Sequence, residues 1–589
     1  MKKEEIEQIR KSKKKDRRVY TSRAIDNYRD LVNYSIEHYS ENVAYKYKVK
    51  PGDKKIIEKT YAQAGEDIRA LSTAFLSNGW KNKKIAVIGK NRYEWCITYL
   101  ATTTGGMIIV PLDRALPEVE INNLVRRSEE EVIVCDSSYV ENLKKLKKQK
   151  ETNLKTIISM DKIDDKDVLN WSDVVKQGND EIKKGNDSYD KVEIDADKMS
   201  ILLFTSGTTS EPKGVMLSQR NVCTNIEDMA TYSKMYPTDV ILSVLPIHHT
   251  FECTISFLYG FYSGVTIAFC DGLRYYADNL KEYKVTIIVA VPLLLETIYK
   301  KIKNGIKEQG KEDTVKKAIK ISNALLKLHI DVRRKLFKQI LDQLGGNVRI
   351  LYYGAAQMDK DTIAGYHNFG INSVQGYGLT ETSPIITAES DKEHRAGSVG
   401  FIFPSLDIKI DNPDKDGVGE IAVKGGNVML GYYKNEKKTN EVMKDGWFFT
   451  GDYGFIDDDG FLHLTGRKND IIVLRNGKNV YPEEIEVLIN KLPYVNESLV
   501  FARNDKKTDT LLCAKIVYDK DAIEKEFGKK DEAEYEKDIF KQIKEINKDL
   551  PTFKHIKKIM ITTEPMEKTT TQKIKRNKEL EKINKEKIK

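Results

Sequence analysis

Short, nearly continuous apolar runs recur along much of the chain, separated by longer segments with helical apolar spacing. MSILLF (Met199 to Phe204) reads as a buried strand, as do EVIVC (Glu131 to Cys135) and KTIISM (Lys155 to Met160). Thr60 to Trp80 has the spacing of an amphipathic helix, and Lys84 to Asp113 reads strand, helix, strand. The alternation continues through VILSVLP, VTIAFC, VTIIVAVP and VRILYYG, with a lysine-rich helical segment, Leu294 to Leu344, before the last. Such alternation predicts parallel sheets covered by helices. Residues 161–198 are rich in Asp, Lys, Asn and Gly and predict a surface excursion. From about Gly397 the texture changes to short strands and turns (DIKI, GEIAVKG, FLHLTG), which predicts a small β-barrel-like subdomain. After Gly466 a compact α+β region is expected. Its strands lie near Ile471, Ser498 and Leu511, its helices at Pro482 to Lys491 and Glu532 to Leu550. No internal repeat is evident.

Composition narrows this picture. A chain of 589 residues exceeds one simple core, so two or more domains are expected. Lys+Arg 98 against Asp+Glu 89 gives +9, a mild excess that favours an anionic partner such as nucleotide, CoA or an acidic membrane surface. No basic face interleaved with aromatics stands out, which argues against a dedicated nucleic-acid binder. The six cysteines lie far apart, without metal-ligand spacing, and read as free buried thiols in a reducing cytoplasm. The charged N-terminus, MKKEEIEQIRKSKKKDRR, lacks the apolar core of a signal peptide. Thr254 to Phe269 and Val285 to Leu295 are too short and too broken to span a membrane, so any membrane contact is expected to be peripheral, at the inner face. The basic stretch Arg10 to Arg18 offers a contact for anionic lipid, although a solvated helix is the simpler expectation.

The stretch richest in chemistry is TSGTTSEPKGV, Thr205 to Val215. Directly after a strand it places Ser206, Gly207, Thr208, Thr209 and Ser210, then Pro212, Lys213 and Gly214. A run of hydroxyl and amide donors with one lysine suits polyphosphate. It is not a Walker A loop, because the lysine precedes the second glycine. A lone Ser/Thr/Gly run is more often a surface turn. With its strand and its Pro-Lys-Gly, however, the stretch closely resembles the phosphate-binding loop of the AMP-forming adenylating enzymes. These are the acyl-CoA synthetases, the adenylation domains of peptide synthetases and the firefly-type luciferases.

Further segments resemble that superfamily in the right order. Asn91, Arg92, Glu94 and Trp95 follow the first strand as in its early core motif. LPIHHTFE (Leu245 to Glu252) is similar to a motif with a histidine beside the acyl pocket, which makes His249 a positioning residue with His248 its neighbour. In YYGAA (Tyr352 to Ala356), Gly354, Ala355 and Ala356 let a flat adenine approach the backbone. GYGLTETSP (Gly376 to Pro384) implies Tyr377 and Gly378 at the adenine, Thr380 at the α-phosphate and Glu381 as the Mg²⁺ ligand. Thr380–Glu381 alone would equally suit a helix cap. WFFTGD (Trp447 to Asp452) resembles the ribose motif, with Asp452 accepting from the sugar. In LTGRKNDIIVLRNGKNVYPEEIE (Leu464 to Glu486), Arg467 would contact ribose or phosphate, Asn469 stands where the family has its hinge residue, and Gly477 belongs to the loop lining the CoA tunnel. EKTTTQKIKR (Glu567 to Arg576) aligns Lys573 with the lysine that bridges the acyl carboxylate and the α-phosphate. There Gln572 replaces a glycine and Glu567 a proline.

The resemblance implies an α/β fold. Two stacked α/β sheets and a β-barrel subdomain would form residues 1–466, a hinge residues 467–470, and a small mobile α+β lid residues 471–589. It implies ATP, Mg²⁺ and CoA, and a fatty acid, by resemblance long-chain, activated as acyl-adenylate and passed to a thiol. The acceptor stays open between CoA and an acyl carrier protein, as does a degenerate nucleotide- or acyl-binding member. Peripheral contact with a membrane or with carrier protein stays open too.

Overall fold

The computed structural model describes residues 3–13, 15–149, 151–205, 212–356, 358–474, 478–504, 510–569 and 573–585. Two large sheets dominate. The first has nine strands in the order 401–402, 385–388, 372–378, 350–354, 287–290, 240–243, 266–269, 43–47, 57–60. Its central strands are parallel and its outer ones antiparallel. The second has eight, in the order 431–432, 213–218, 199–205, 108–111, 84–88, 132–135, 156–159, 169–170. The expected alternation of strands and helices is present. One departure matters for the site. Met199–Thr205 is answered by an antiparallel return strand, Lys213–Ser218, with Thr205 opposite Lys213. The strands that flank the hydroxyl-rich stretch thus pair with each other, which brings Thr205 and Lys213 side by side.

Two helices, Tyr93–Thr104 and Glu252–Tyr259, lie between the sheets and are buried almost all round. The first reads YEWCITYLATTT, and its threonines suit the place. Thr102, Thr103 and Thr104 donate back to the carbonyls of Thr98, Tyr99 and Leu100, which satisfies each hydroxyl inside its own helix. The second is a π-helix, with Phe257 set edge-on against Trp95 and Tyr99 at 6.3 and 5.7 Å between centroids. The same buried cluster takes in Val87 and Ile109 of one sheet and Ile241 and Ile287 of the other.

Residues 161–198 are not a surface excursion. They contain the helix Trp171–Lys183, whose Trp171 Nε1 donates to Thr98 Oγ1 at 3.1 Å. Gly178 on that helix lets it ride against the helix Tyr61–Ser77: a Cβ there would stand 1.7 Å from the Ala70 carbonyl oxygen. Low apolar content hid a seam made by close backbone approach together with a few buried side chains, Trp171, Val174 and Val175. The N-terminal leader likewise is not a freely solvated helix. Lys3–Ser12 packs on the strand Leu406–Asp411, with Glu5 beside Lys409 at 3.3 Å, Lys13 on Asp407 at 2.5 Å and the Arg17 guanidinium over Phe401.

The expected β-subdomain is a five-stranded antiparallel sheet built from 406–411, 419–425, 443–444, 447–456 and 462–467. Beyond it, Val495–Asn504, Thr510–Tyr518 and Lys558–Thr562 make a separate three-stranded sheet, with its own buried cluster around Ile485, Ile516, Ile539 and Ile543. The lysine-rich segment 294–344 is a succession of four helices, Pro292–Glu308, Glu312–Lys327, Arg333–Leu336 and Lys338–Gln343. The six cysteines are free, five of them buried.

The Gly178 contact is directly testable. Gly178→Ala should destabilise the chain by about 1–3 kcal/mol or more, as overpacking does. Urea denaturation measures it, and a midpoint equal to wild type would refute the close-packed seam.

Candidate functional site

The motifs converge at one end of the two sheets. Tyr377 lies on the strand Asn372–Gly378, beside Ile350–Gly354, with Gly354 opposite Gly376. A Cβ on Gly354 would stand 2.7 Å from the Gly376 carbonyl oxygen, and one on Gly378 1.8 Å from that of Pro384. Both glycines are therefore required by the backbone itself. Ala355 has φ +71, a left-handed turn that leaves Ala355 and Ala356 exposed beside Tyr377's strand.

The Tyr377 ring is buried and its hydroxyl donates to Asp452 Oδ2 at 2.8 Å. Asp452 and Arg467 face each other on neighbouring antiparallel strands, with Arg467 Nε 3.1 Å from Asp452 Oδ1. That carboxylate raises the Arg467 pKa, so the guanidinium stays charged. Tyr377, Asp452 and Arg467 thus form one connected group drawn from two sheets.

Thr380 and Glu381 open a short 3₁₀ turn, Thr380–Thr382, rather than a longer helix. The cap is Thr382, whose hydroxyl takes the Leu379 N–H at 3.0 Å. The turn is braced from behind by two asparagines that sequence reasoning missed. Asn225 Nδ2 and Asn427 Nδ2 both donate to the Ile385 carbonyl, at 2.8 and 2.7 Å, and Asn427 also to that of Thr382. Their buried amides have no motif signature of their own. A second missed residue is Tyr432, whose hydroxyl donates to Glu381 Oε1 at 2.8 Å. Its backbone pairs with Val215 on the return strand, and its ring lies 5.3 Å under Lys213 Nζ. Burial first, then Lys438, lowers the Lys213 pKa, while Glu381 opposes them. Thr205, Lys213, Tyr432 and Glu381 therefore share one corner. Ser206, Gly207, Thr208 and Thr209, like Gly477 and Gln572, lie outside the described residues.

His249 sits in the loop before the π-helix. Its Nδ1 accepts the Phe251 N–H at 3.4 Å, which places the neutral ring's proton on Nε2. Burial, then His248 and Lys573, pushes its pKa down to about 3. It is a neutral donor near pH 7, not a base. Neighbouring His248 lies 3.6 Å from Asp113.

Lys573 arrives from the far end of the chain. Its side chain is open to solvent but stands in a crevice crowded with protein atoms. That crowding, then Arg467, lowers its pKa against the pull of Asp452 and Glu483. It lies within electrostatic reach of His249 and of the Asp452–Arg467 pair. The residues on either side of it are held inside the small domain: Thr569 N–H donates to the Lys573 carbonyl at 2.7 Å, and Arg576 Nη1 donates to both Glu486 carboxylate oxygens at 2.9 Å. Glu567, which stands in place of proline, is clamped by Lys575 and Lys578 at 3.1 and 2.9 Å.

Comparison with known proteins agrees with this geometry. The family model described as AMP-binding enzyme matches residues 33–433, and that of the AMP-binding enzyme C-terminal domain matches residues 469–588. The chain belongs to the AMP-binding enzyme family. It is 30% identical to long-chain-fatty-acid–CoA ligase 5 of Mus musculus over 558 residues, 86% of this chain and 79% of that one. It is 27% identical to long-chain-fatty-acid–CoA ligase FadD15 of Mycobacterium tuberculosis, over 75% of this chain and 74% of that one. The fold is that of the anthranilate CoA ligase AuaEII in complex with anthranoyl-AMP (TM-score 0.74, 17% identity, 95% of this chain and 98% of that one). ATP-bound MatB from Rhodopseudomonas palustris is similar (TM-score 0.72, 22%, 94% and 99%).

In this AMP-binding enzyme the histidine loop is held by a buried polar relay. Asn91 Nδ2 donates to Ser243 Oγ at 2.9 Å and to the Leu245 carbonyl at 2.7 Å, while its Oδ1 takes the Ile247 N–H. Ser243 Oγ donates to Glu252 Oε1 at 2.6 Å, and Ser256 Oγ to Oε2 at 2.8 Å. Glu252 is wholly buried, and burial pushes its pKa up to about 8. The folded chain thus keeps a proton that the unfolded chain gives up near pH 4.3. Stability contributed by Glu252 is complete below that pH and is lost as pH rises toward 8. Asp228 and Glu130, each pushed up to about 7, act in the same direction. Glu252→Gln keeps the shape without the charge. It should flatten, though not abolish, the decline of melting temperature between pH 5 and 8. Parallel wild-type and mutant profiles would refute a neutral Glu252.

Proposed function

We propose that the chain is an ATP-dependent, AMP-forming ligase that activates a long-chain fatty acid as acyl-adenylate and transfers the acyl group to CoA. The observation that carries this reading is the placement of Lys573 within electrostatic reach of His249 and the Asp452–Arg467 pair, together with the corner where Tyr432 links Glu381 and Lys213. The matched relatives named as long-chain-fatty-acid–CoA ligases support the substrate class.

Each residue then has a chemical task. The hydroxyl-rich stretch and Lys213 hold the β- and γ-phosphates, and Gly354, Ala355, Ala356, Tyr377 and Gly378 frame adenine. Asp452 accepts from the ribose hydroxyls, with Arg467 beside it. Thr380 and Lys573 meet the α-phosphate. His249 Nε2–H orients the fatty acid. Glu381 fits a Mg²⁺ ligand, because Tyr432 fixes one of its oxygens. No group of three His, Cys, Asp or Glu able to hold a metal occurs among the described residues, so phosphate and water would complete the shell. Bound Mg²⁺ supplies charge neutralisation at the phosphates.

The carboxylate oxygen forms a bond to the α-phosphorus, the α–β bridging bond breaks, and pyrophosphate leaves. Two anions must meet, and Lys573 offsets the charge that gathers between them. The CoA thiol then attacks the acyl carbon, and AMP departs with the carboxylate oxygen. We assign residues 1–466 to the adenylating body, 467–470 to the hinge and 471–589 to a lid that turns between the two steps, bringing the loop around Gly477 to the thiol.

ATP–pyrophosphate exchange with a panel of acids tests the reading. Exchange should be strongest with long-chain acids, and no exchange with any acid would overturn it. Thioester yield with CoA and with carrier protein identifies the acceptor. Lys573→Ala should lose about 10²–10³-fold in exchange, as for removal of one transition-state donor, yet keep thioester formation from synthetic acyl-adenylate. Because the Lys573 pKa is lowered, the alkaline limb of exchange should begin below the usual lysine range and vanish in Lys573→Ala.

A further inference from the structure

The charge of this protein is unevenly placed. Residues 293–338 carry 13 Lys and Arg against 5 Asp and Glu, a net +8 within a chain whose total is +9. Within that segment the helix Glu312–Lys327 turns Val315, Ala318 and Ile319 toward the neighbouring core and buries Ser322. Its other side carries Lys316, Lys317, Lys320 and Ile321, all exposed. The stripe runs on into the turn Leu328–Ile330, where His329 takes φ +61. At this tip Leu328 is 68% and Ile330 50% exposed, and Ile321 on the stripe 58%. Lys316 has a 3.8 Å contact with Asp313, and among the described residues no ion pair holds Lys317 or Lys320.

We propose that this helix face and the turn after it form a docking surface for an anionic lipid bilayer. Apolar side chains at the tip of a turn, flanked by lysines, suit an interface in two layers. Leu328 and Ile330 enter the acyl boundary while Lys317, Lys320 and Lys327 stay at the headgroups. The uncompensated positive charge matches anionic headgroups. A bilayer also accepts a projecting tip without a matching groove, which an acidic protein would have to supply. The site is distinct from the N-terminal leader, which is occupied by its own β-subdomain. It goes beyond the ligase reading, and vesicle binding needs no turnover, so either can fail alone.

Co-sedimentation of the full chain with vesicles tests it. Vesicles of equal parts phosphatidylcholine and phosphatidylglycerol should bind at least about tenfold tighter than phosphatidylcholine alone, with the difference erased by high salt. Two independent variants, Leu328→Glu/Ile330→Glu and Lys316→Glu/Lys317→Glu/Lys320→Glu, should each lose sedimentation while keeping the wild-type melting temperature. Wild-type protein left in the supernatant with anionic vesicles would overturn the proposal. So would two folded variants that sediment like wild type, or a face that retains acyl carrier protein and ignores vesicles.

Discussion

The Asp452–Arg467 pair is the constraint on which the site depends. It joins elements that share no other motif. Asp452 takes the hydroxyl of Tyr377 from the nine-stranded sheet and faces Arg467 on the last strand before the chain enters the small domain. A buried carboxylate needs partners, because an unpaired one is costly to desolvate. Here the partners come from a tyrosine and a guanidinium, and Lys573 adds a cation from outside. The strand register that sets Asp452 opposite Arg467 therefore also sets where the small domain starts and where its lysine can settle.

A second dependence runs through the interior. A helix buried on every side cannot turn polar residues to water, so each polar group within it must be satisfied locally. Tyr93–Thr104 does this for its last three hydroxyls with threonines bonding back to its own carbonyls. Glu252–Tyr259 does it with Ser243, Ser256 and a carboxyl group held neutral. Asn91 extends the second arrangement through Ser243 and reaches the backbone on either side of Pro246. The histidine loop thus inherits its position from the core rather than from the cleft.

The parts of the fold legible in the sequence were those written in side-chain type. The apolar runs marked the parallel strands of both large sheets, and the motifs around Thr205, Tyr377 and Asp452 marked the loops that meet. What stayed hidden was written in backbone or in long-range pairing. Lys213 opens an antiparallel return strand, yet Pro-Lys-Gly reads only as a turn. Gly178 reads as polar-loop composition, although it makes a helix seam. Asn225, Asn427 and Tyr432 are single residues far from the turn they brace, and nothing in their local sequence points to it. Glu567 stood out in the sequence only as a replaced proline, and its partners Lys575 and Lys578, like Glu486 for Arg576, became visible only in the fold.

Those last contacts bear on how a moving lid can stay accurate. In the proposed mechanism Lys573 must be placed to within a fraction of an ångström for charge stabilisation to act, yet the lid must also leave. Long-range rigidity and mobility conflict only if the lysine loop is shaped by the body it visits. It is shaped instead within the small domain, by Arg576 on Glu486 and by the Glu567 clamp. Contacts across to the body include polar ones, Lys300 Nζ on the Pro493 carbonyl and Lys491 Nζ on Asp359, beside the Tyr481 ring against Gly466. The polar contacts among these exchange readily for water. On the proposed mechanism the lysine would travel with its geometry intact, because the bonds that define that geometry would travel with it.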